Sequence, residues 1–238
     1  MCVHARRPHA AFALVLASLA GAPAIAQVGI GITVESDYRF RGVSLSGGDP
    51  DAQLSLAWDG SAGAYAGASA TAVALDGGPR RAALTGYAGL ARRFGAGAAT
   101  WDIGASATHF AGAAGYDYTE LHGGVGGEGW NARLSFSPDY FGQGRRTLYA
   151  EIDAGRPLAP PWRVFAHLGA LGALGVTAAP AAPGSSSAVR LDARLGVALT
   201  RPGWELRAEW VGAGHGGVYP AAWGGRRSTL VLAAAAFF

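Results

Sequence analysis

Charged side chains recur at every second position in several segments of the sequence, and mainly apolar or small residues lie between them. A β-strand places alternate residues on opposite faces, so each segment predicts a strand with one charged face. Such faces suit two roles: they line a polar passage, or they form ion-pair networks inside a closed structure. The predicted pore-lining residues are Glu35, Asp37, Arg39, Arg41, Asp102, Arg133, Glu151, Asp153, Arg190, Asp192, Arg194, Glu205, Arg207 and Glu209.

These rows hold eight carboxylates and six arginines, so neither sign of charge dominates. Strong ion selectivity is therefore not expected of a passage lined by them. The residues alone leave both roles open, and we favour the passage over the closed interior.

Residues suited to catalysis form no recognisable constellation. The histidines beyond the N-terminal segment are His109, His122, His167 and His215, and none has the spacing of a metal site. A G-x-S-x-G nucleophile motif is absent from the sequence. The glycine run at 123–127 lacks the Lys-Ser/Thr pair that follows in a phosphate-binding loop. We expect no enzyme activity, no catalytic residue, no metal and no cofactor.

The overall composition narrows the class of fold. The chain has 238 residues, of which 50% are hydrophobic, 15% are charged and 38 are glycine. The charged fraction is low for a soluble domain, where about 25% is usual. After residue 26 no run of apolar residues is long enough for a membrane-spanning helix. A β-rich chain with apolar residues on one face fits these values.

The first 26 residues have the layout of a signal peptide. Arg6 and Arg7 precede an apolar run, and small residues at 24–26 predict cleavage before Gln27. We therefore divide the chain into a signal peptide, 1–26, and a barrel domain, 27–238. The single cysteine, Cys2, lies in the signal peptide, so the exported chain cannot form a disulfide. No basic run is present, and nucleic acid is not an expected partner.

Twelve alternating segments can be marked after residue 27, and the first is expected to be one strand over 28–42. Short turns and longer loops alternate between the segments. An even number of strands joined by short turns and longer loops is typical of bacterial outer-membrane barrels. The sequence therefore predicts an all-β fold, a transmembrane antiparallel up-and-down β-barrel of about 12 strands.

Tryptophan is concentrated near alternate turns. An indole ring suits the membrane interface because it has an apolar body and one polar N–H group. The predicted aromatic girdle comprises Trp58, Trp101, Trp130, Trp162 and Trp204 at one end of the barrel and Trp210 at the other. Tyr38, Phe40 and Phe136 are expected to join Trp210 in the second girdle.

Two stretches carry a family resemblance: SDYRFRGVSLS at 36–46 and SFSPDYFG at 135–142. Both resemble motifs of the TorF-type porin family of proteobacterial outer-membrane barrels. The resemblance implies the outer membrane of a Gram-negative bacterium, with outer-membrane lipid as the surroundings. The terminal Phe238 is similar to the signal read by the barrel-assembly machinery, which is the expected partner during biogenesis.

Together these observations predict a small passive porin or solute channel with weak ion selectivity. The alternative is a closed outer-membrane barrel that acts as a structural or surface-interaction protein through its extracellular loops. The sequence does not specify a solute.

Overall fold

Side chains along the strands alternate between an apolar and a polar environment. The computed structural model describes residues 27–95, 98–175, 189–215 and 227–238. Within these ranges the chain forms fourteen strands and three short 3₁₀ turns. The strands are β1 (Gln27–Glu35), β2 (Arg39–Phe40), β3 (Val43–Ser44), β4 (Asp51–Asp59), β5 (Ala64–Ala74), β6 (Arg80–Arg93), β7 (Thr100–Phe110), β8 (Tyr118–Gly127), β9 (Trp130–Ser137), β10 (Arg146–Pro157), β11 (Trp162–Leu174), β12 (Val189–Arg201), β13 (Trp204–Ala213) and β14 (Ser228–Phe237).

β1 and β4 to β14 form a closed barrel of twelve strands, as the sequence predicted. Each strand pairs antiparallel with its neighbours, and β1 closes the ring by pairing with both β4 and β14. Gly31 lies opposite Phe237 at the closing seam. The backbone groups of Ile30 and Phe238 exchange two hydrogen bonds there, of 3.1 and 2.9 Å. Closure removes the unpaired edges that an open sheet would expose.

The two faces of the barrel wall differ sharply in polarity. On β12, Leu191 and Leu195 are 61% and 62% exposed on the outside, whereas Asp192 between them is 5% exposed on the inside. The same alternation gives an apolar outer surface and a polar interior around the ring. This is the arrangement of a barrel surrounded by lipid.

The two ends of the barrel have different connections. At the end that we call the turn end, residues 60–63, 94–99, 128–129, 158–161 and 202–203 join the strands. At the opposite end, which we call the loop end, the described connections are 36–50, 75–79, 111–117 and 138–145. β1 begins and β14 ends at the turn end. No helix in the described ranges has the length and apolar character needed to cross a membrane.

The predicted single strand over 28–42 is wrong. β1 ends at Glu35, and the chain leaves the wall at Ser36, whose backbone N–H donates to the Leu232 carbonyl at 2.8 Å. β2 and β3 then form a small hairpin in which Arg39 pairs with Ser44 and Phe40 with Val43. Arg41 and Gly42 form its turn with φ angles of 49° and 75°, which suit the tight turn of a two-residue hairpin.

A cluster of buried apolar residues lies inside the loop end of the barrel. It joins inward side chains of the wall to residues of the β2–β3 hairpin and of the connection 138–145. The cluster consists of Val43, Leu45, Val73, Leu75, Ala83, Phe110, Tyr118, Tyr140, Phe141, Tyr149 and Leu171, with Tyr38, Phe40, Ala113 and Tyr116 packed against it. The prediction that Tyr38 and Phe40 join an outer girdle is therefore wrong.

Candidate functional site: the barrel lumen and its plug

The inward rows of the barrel strands bring most of the predicted pore-lining residues into one lumen. Those that lie on inward positions of barrel strands are Glu35, Asp102, Arg133, Glu151, Asp153, Arg190, Asp192, Arg194, Glu205, Arg207 and Glu209. Asp37, Arg39 and Arg41 are not on barrel strands: Asp37 precedes the β2–β3 hairpin at the loop end, and Arg39 and Arg41 belong to it. Whether these residues line a conducting passage stays a prediction.

Several inward residues were not among the predicted pore-lining residues, although they follow the same alternation. Arg163 and His167 occupy inward positions of β11, between the outward Trp162 and Leu168. Glu120 and His122 occupy inward positions of β8, a strand whose glycines weaken its alternation. The sequence did contain a signal for these residues: along each strand, the inward residues are either all odd-numbered or all even-numbered.

A chain of ion pairs runs along the lumen wall, from the beginning of β11 and β13 near the turn end to the last residue of β1. The guanidinium of Arg163 donates to both carboxylate oxygens of Glu205, with a shortest distance of 3.0 Å. Arg207 lies 3.7 Å from Glu205 and 3.1 Å from Glu35. This chain links β11, β13 and β1. The Glu205 side chain is 2% exposed, so the surrounding donors compensate a charge that water does not reach.

His167 lies between two carboxylates, midway between the two ends of the barrel. Nδ1 of His167 lies 2.7 Å from Asp153, and Nε2 lies 3.1 Å from Asp192. The Tyr149 hydroxyl lies 3.0 Å from the same Nε2 atom. A second polar group is built from Asp102, His122 and Tyr65, with the Tyr65 hydroxyl 2.8 Å from the ring nitrogen of His122.

Glu151, Asp153 and His167 come close enough to be tested as metal ligands. One potential ligand atom of each lies within 4.8 Å of the others. Both ring nitrogens of His167, however, already lie within hydrogen-bond distance of carboxylate oxygens. Binding a cation through this imidazole would therefore break its contact with Asp153 or with Asp192.

The β2–β3 hairpin is held together from within. The Asp37 carboxylate accepts hydrogen bonds from Arg39, Ser44 and Ser46, at 2.7, 2.5 and 3.1 Å. The Asp37 side chain is only 7% exposed. Three donors around one buried carboxylate give the hairpin a fixed shape. We call residues 37–46, together with Tyr140 and Phe141, the plug.

The plug crosses the lumen from one wall to another. A Cβ atom on Gly42 would lie 2.6 Å from the Cβ of Ala213 and 2.8 Å from that of Asp192, so the turn contacts the inner face of β12 and β13. Arg41, the neighbouring residue, reaches Glu120 on β8 at 2.9 Å. Its guanidinium also lies 4.0 Å from the ring centre of Tyr149 on β10, within cation–π range.

A second segment completes the plug. In the 3₁₀ turn Tyr140–Gly142, Phe141 has a φ of 52°, a conformation that L-residues adopt at a cost. Its ring lies 4.6 Å from that of Tyr118 and 5.6 Å from that of Phe110, both on the wall. Phe40 of the hairpin contacts the same ring edge-on at 6.4 Å. Tertiary packing therefore holds this turn in its conformation.

The two sequence stretches that carried the family resemblance meet in the plug. Stretch 36–46 supplies the hairpin, and stretch 135–142 supplies Tyr140 and Phe141. The Tyr140 ring lies 5.3 Å from the Arg41 guanidinium, so the two stretches are in contact. About ninety residues separate the two stretches in the sequence, so the pattern within any one strand could not predict this contact.

At the loop-end rim, Asp117 links a connection to a strand. Its carboxylate lies 2.6 Å from Nδ1 of His109 and accepts a hydrogen bond of 2.8 Å from the Phe110 N–H. Desolvation raises the pKa of Asp117, but these two hydrogen bonds and the nearby imidazole outweigh it and lower the pKa below its ordinary value.

The predicted girdle residues occupy outward positions. Trp58, Trp130, Trp162 and Trp204 are 39% to 47% exposed at the turn end, and Trp101 is partly exposed there. Trp210 lies closer to the loop end and is 48% exposed. Phe238 is 77% exposed beside the closing seam. Their roles at a membrane interface and in assembly stay predictions.

Comparison with known proteins gives one family and several similar structures. Residues 19–231 match the family model described as "Bacterial protein of unknown function (Gcw_chp)". No curated protein matches the chain. Among solved structures, the KdgM porin has a TM-score of 0.54 at 10% identity, covering 88% of this chain and 99% of that one. A structure of KdgM porin in complex with disordered oligogalacturonate has a TM-score of 0.51 at 9% identity, covering 90% and 99%. These likenesses concern the fold.

Proposed function

The chain belongs to the Gcw_chp family, and we propose that it is a passive solute channel of the outer membrane of a Gram-negative bacterium. The single observation that carries the proposal is a closed barrel with partly exposed charged side chains in its lumen and apolar side chains outside. A lumen that served only as packing would gain more from apolar residues, because buried ion pairs contribute little net stability. The fold shared with the KdgM porin supports the same reading.

The plug occupies the lumen at the loop end and buries charged residues there. The side chains of Arg41 and Glu120 are 7% and 9% exposed there. Farther toward the turn end, those of Arg133 and Arg163 are 24% and 29% exposed. Water therefore reaches the lumen below the plug more readily than the plug itself. We propose that small solutes pass when the plug shifts from the wall.

The alternative function is a closed barrel that acts as a structural or surface-interaction protein through its extracellular loops. The observation that favours it is the buried cluster at the loop end, which leaves the cluster's wall residues such as Tyr149 and Leu171 1% exposed. We also propose that the chain is a TorF-type porin with a cleaved signal peptide, which the resemblance at 36–46 and 135–142 supports. Residues 1–26 lie outside the described ranges.

Swelling of proteoliposomes in solutions of neutral sugars tests passage directly. The purified protein should admit a small sugar such as a pentose and exclude large oligosaccharides. Arg41→Ala leaves the buried Glu120 unpaired, at a cost of about 3–5 kcal/mol, and should speed swelling by releasing the plug. Arg81→Ala is the matched control, because Arg81 lies at the same end and donates to the Gly112 carbonyl. A folded protein whose vesicles fail to swell with or without Arg41 would favour the closed barrel.

A further inference from the structure

The lumen has two walls of different chemistry. The inward rows of β9 to β13 carry the arginines Arg133, Arg163, Arg190, Arg194 and Arg207. The wall across from them includes β5, which contains no charged residue and turns Tyr65, Ser69 and Thr71 inward. A solute in the lumen therefore meets cationic groups on one side and hydroxyl groups on the other.

Burial separates the carboxylates from the arginines on this wall and at Asp102 of β7, which lies 3.6 Å from the Arg133 guanidinium. Glu205, Asp192 and Asp102 have side chains that are 2%, 3% and 6% exposed. Their neighbours Arg194, Arg163 and Arg133 are 34%, 29% and 24% exposed. The carboxylates thus lie behind, and the guanidinium groups lie in front, where a solute would pass.

The partly exposed carboxylates of the lumen lie among these arginines, and one of them, Glu35, is more exposed than its partner Arg207, at 19% against 14%. Between the two rims they are Glu35, Glu151 and Asp153. Glu35 lies 3.1 Å from Arg207. Asp153 lies 2.7 Å from His167 and 3.9 Å from Arg194. Glu151 lies on the same wall, among the arginines. Between the rims, the five arginines of β9 to β13 are all partly exposed, against three partly exposed carboxylates, so the charged groups that water reaches are mostly arginines.

We propose that the lumen prefers anions, so that its substrates are small anionic solutes bearing hydroxyl groups. This preference rests on the proposed channel function and specifies that the channel's weak ion selectivity favours anions over cations. Exposed guanidinium groups bind carboxylates and phosphates with two parallel hydrogen bonds, and the facing hydroxyls supply neutral donors and acceptors. Because the arginines are partly compensated, the preference for chloride over potassium should be about two- to fivefold.

The test is the reversal potential of the protein in planar bilayers under a tenfold gradient of KCl. We expect current through the wild type to reverse toward the equilibrium potential of chloride. Arg133→Gln with Arg194→Gln should move the reversal potential toward zero or toward potassium. Arg92→Gln with Arg156→Gln, which removes two charges from exposed outward positions of β6 and β10, should behave as the wild type.

The outcomes separate the two proposals. A wild-type reversal potential at zero, or shifted toward the equilibrium potential of potassium, would overturn the anion preference but not the channel function. Absence of any current steps would instead refute the channel. If the double variant does not fold, Arg194→Gln alone keeps the test, because its contact with Asp153 is the longest of the lumen arginine pairs described, at 3.9 Å.

Discussion

Gly42 offers a sharp test of whether the plug contacts the inner wall. Gly42 and Gly47 have nearly the same backbone conformation, with φ angles of +75° and +74°. A Cβ atom on Gly42 would lie within 2.8 Å of two wall atoms, whereas one on Gly47 would meet nothing within 4 Å. Alanine at either position therefore costs the same backbone strain, and only at Gly42 does it collide with β12 and β13.

The expected difference follows from these contacts. The strain shared by both variants is about 1–2 kcal/mol. Overpacking at Gly42 adds about 1–3 kcal/mol to the cost of docking the plug. Since 1.4 kcal/mol changes an equilibrium tenfold, Gly42→Ala should raise the undocked population about 5- to 150-fold over Gly47→Ala.

The assay compares sugar-driven swelling of vesicles containing each variant at equal amounts of folded protein. Gly42→Ala should swell faster than Gly47→Ala, because both variants share the backbone strain and only Gly42→Ala adds the collision with the wall. Equal rates for the two variants would refute the placement of the turn against Ala213 and Asp192.

Three further predictions concern other parts of the barrel. Phe141→Ala removes the ring packed against Tyr118, which should cost about 3–5 kcal/mol of plug docking and speed swelling; an unchanged rate would contradict the packing. Asp117 has a lowered pKa in the folded protein, so its contribution to stability is present above about pH 4 and is lost as the pH falls further. Below pH 4 the midpoint temperature of thermal unfolding should therefore fall less for Asp117→Asn than for the wild type. Parallel plots of midpoint temperature against pH would exclude a contribution from Asp117. Deletion of Phe238 removes two backbone hydrogen bonds to Ile30 and should lower the heat-modifiable fraction in cells, whereas Phe238→Tyr should not; equal assembly of both would count against the terminal signal.

The barrel could be predicted from the sequence because period-two alternation directly reports which side a residue faces. Rows such as Leu191 and Leu195 around Asp192 give both strand and orientation. The same rule identifies Arg163 and His167 as inward once the parity of β11 is fixed. Local sequence patterns were therefore sufficient to predict the wall of the lumen.

The plug could not be predicted in this way. The alternation of β1 continues through Tyr38 and Phe40, although these residues pack inside the barrel rather than against lipid. Alternation separates two faces but does not say whether the apolar face meets lipid or another segment. The turn at Arg41 and Gly42 also lacks the Asn-Gly or Asp-Gly pair that signals a tight hairpin.

Single-channel recording of the wild type beside Arg41→Ala tests whether the lumen is a passage that the plug narrows. We predict small discrete current steps for the wild type and larger or more frequent steps for Arg41→Ala. Folded barrels of both proteins that leave the bilayer current at its background level would contradict the account.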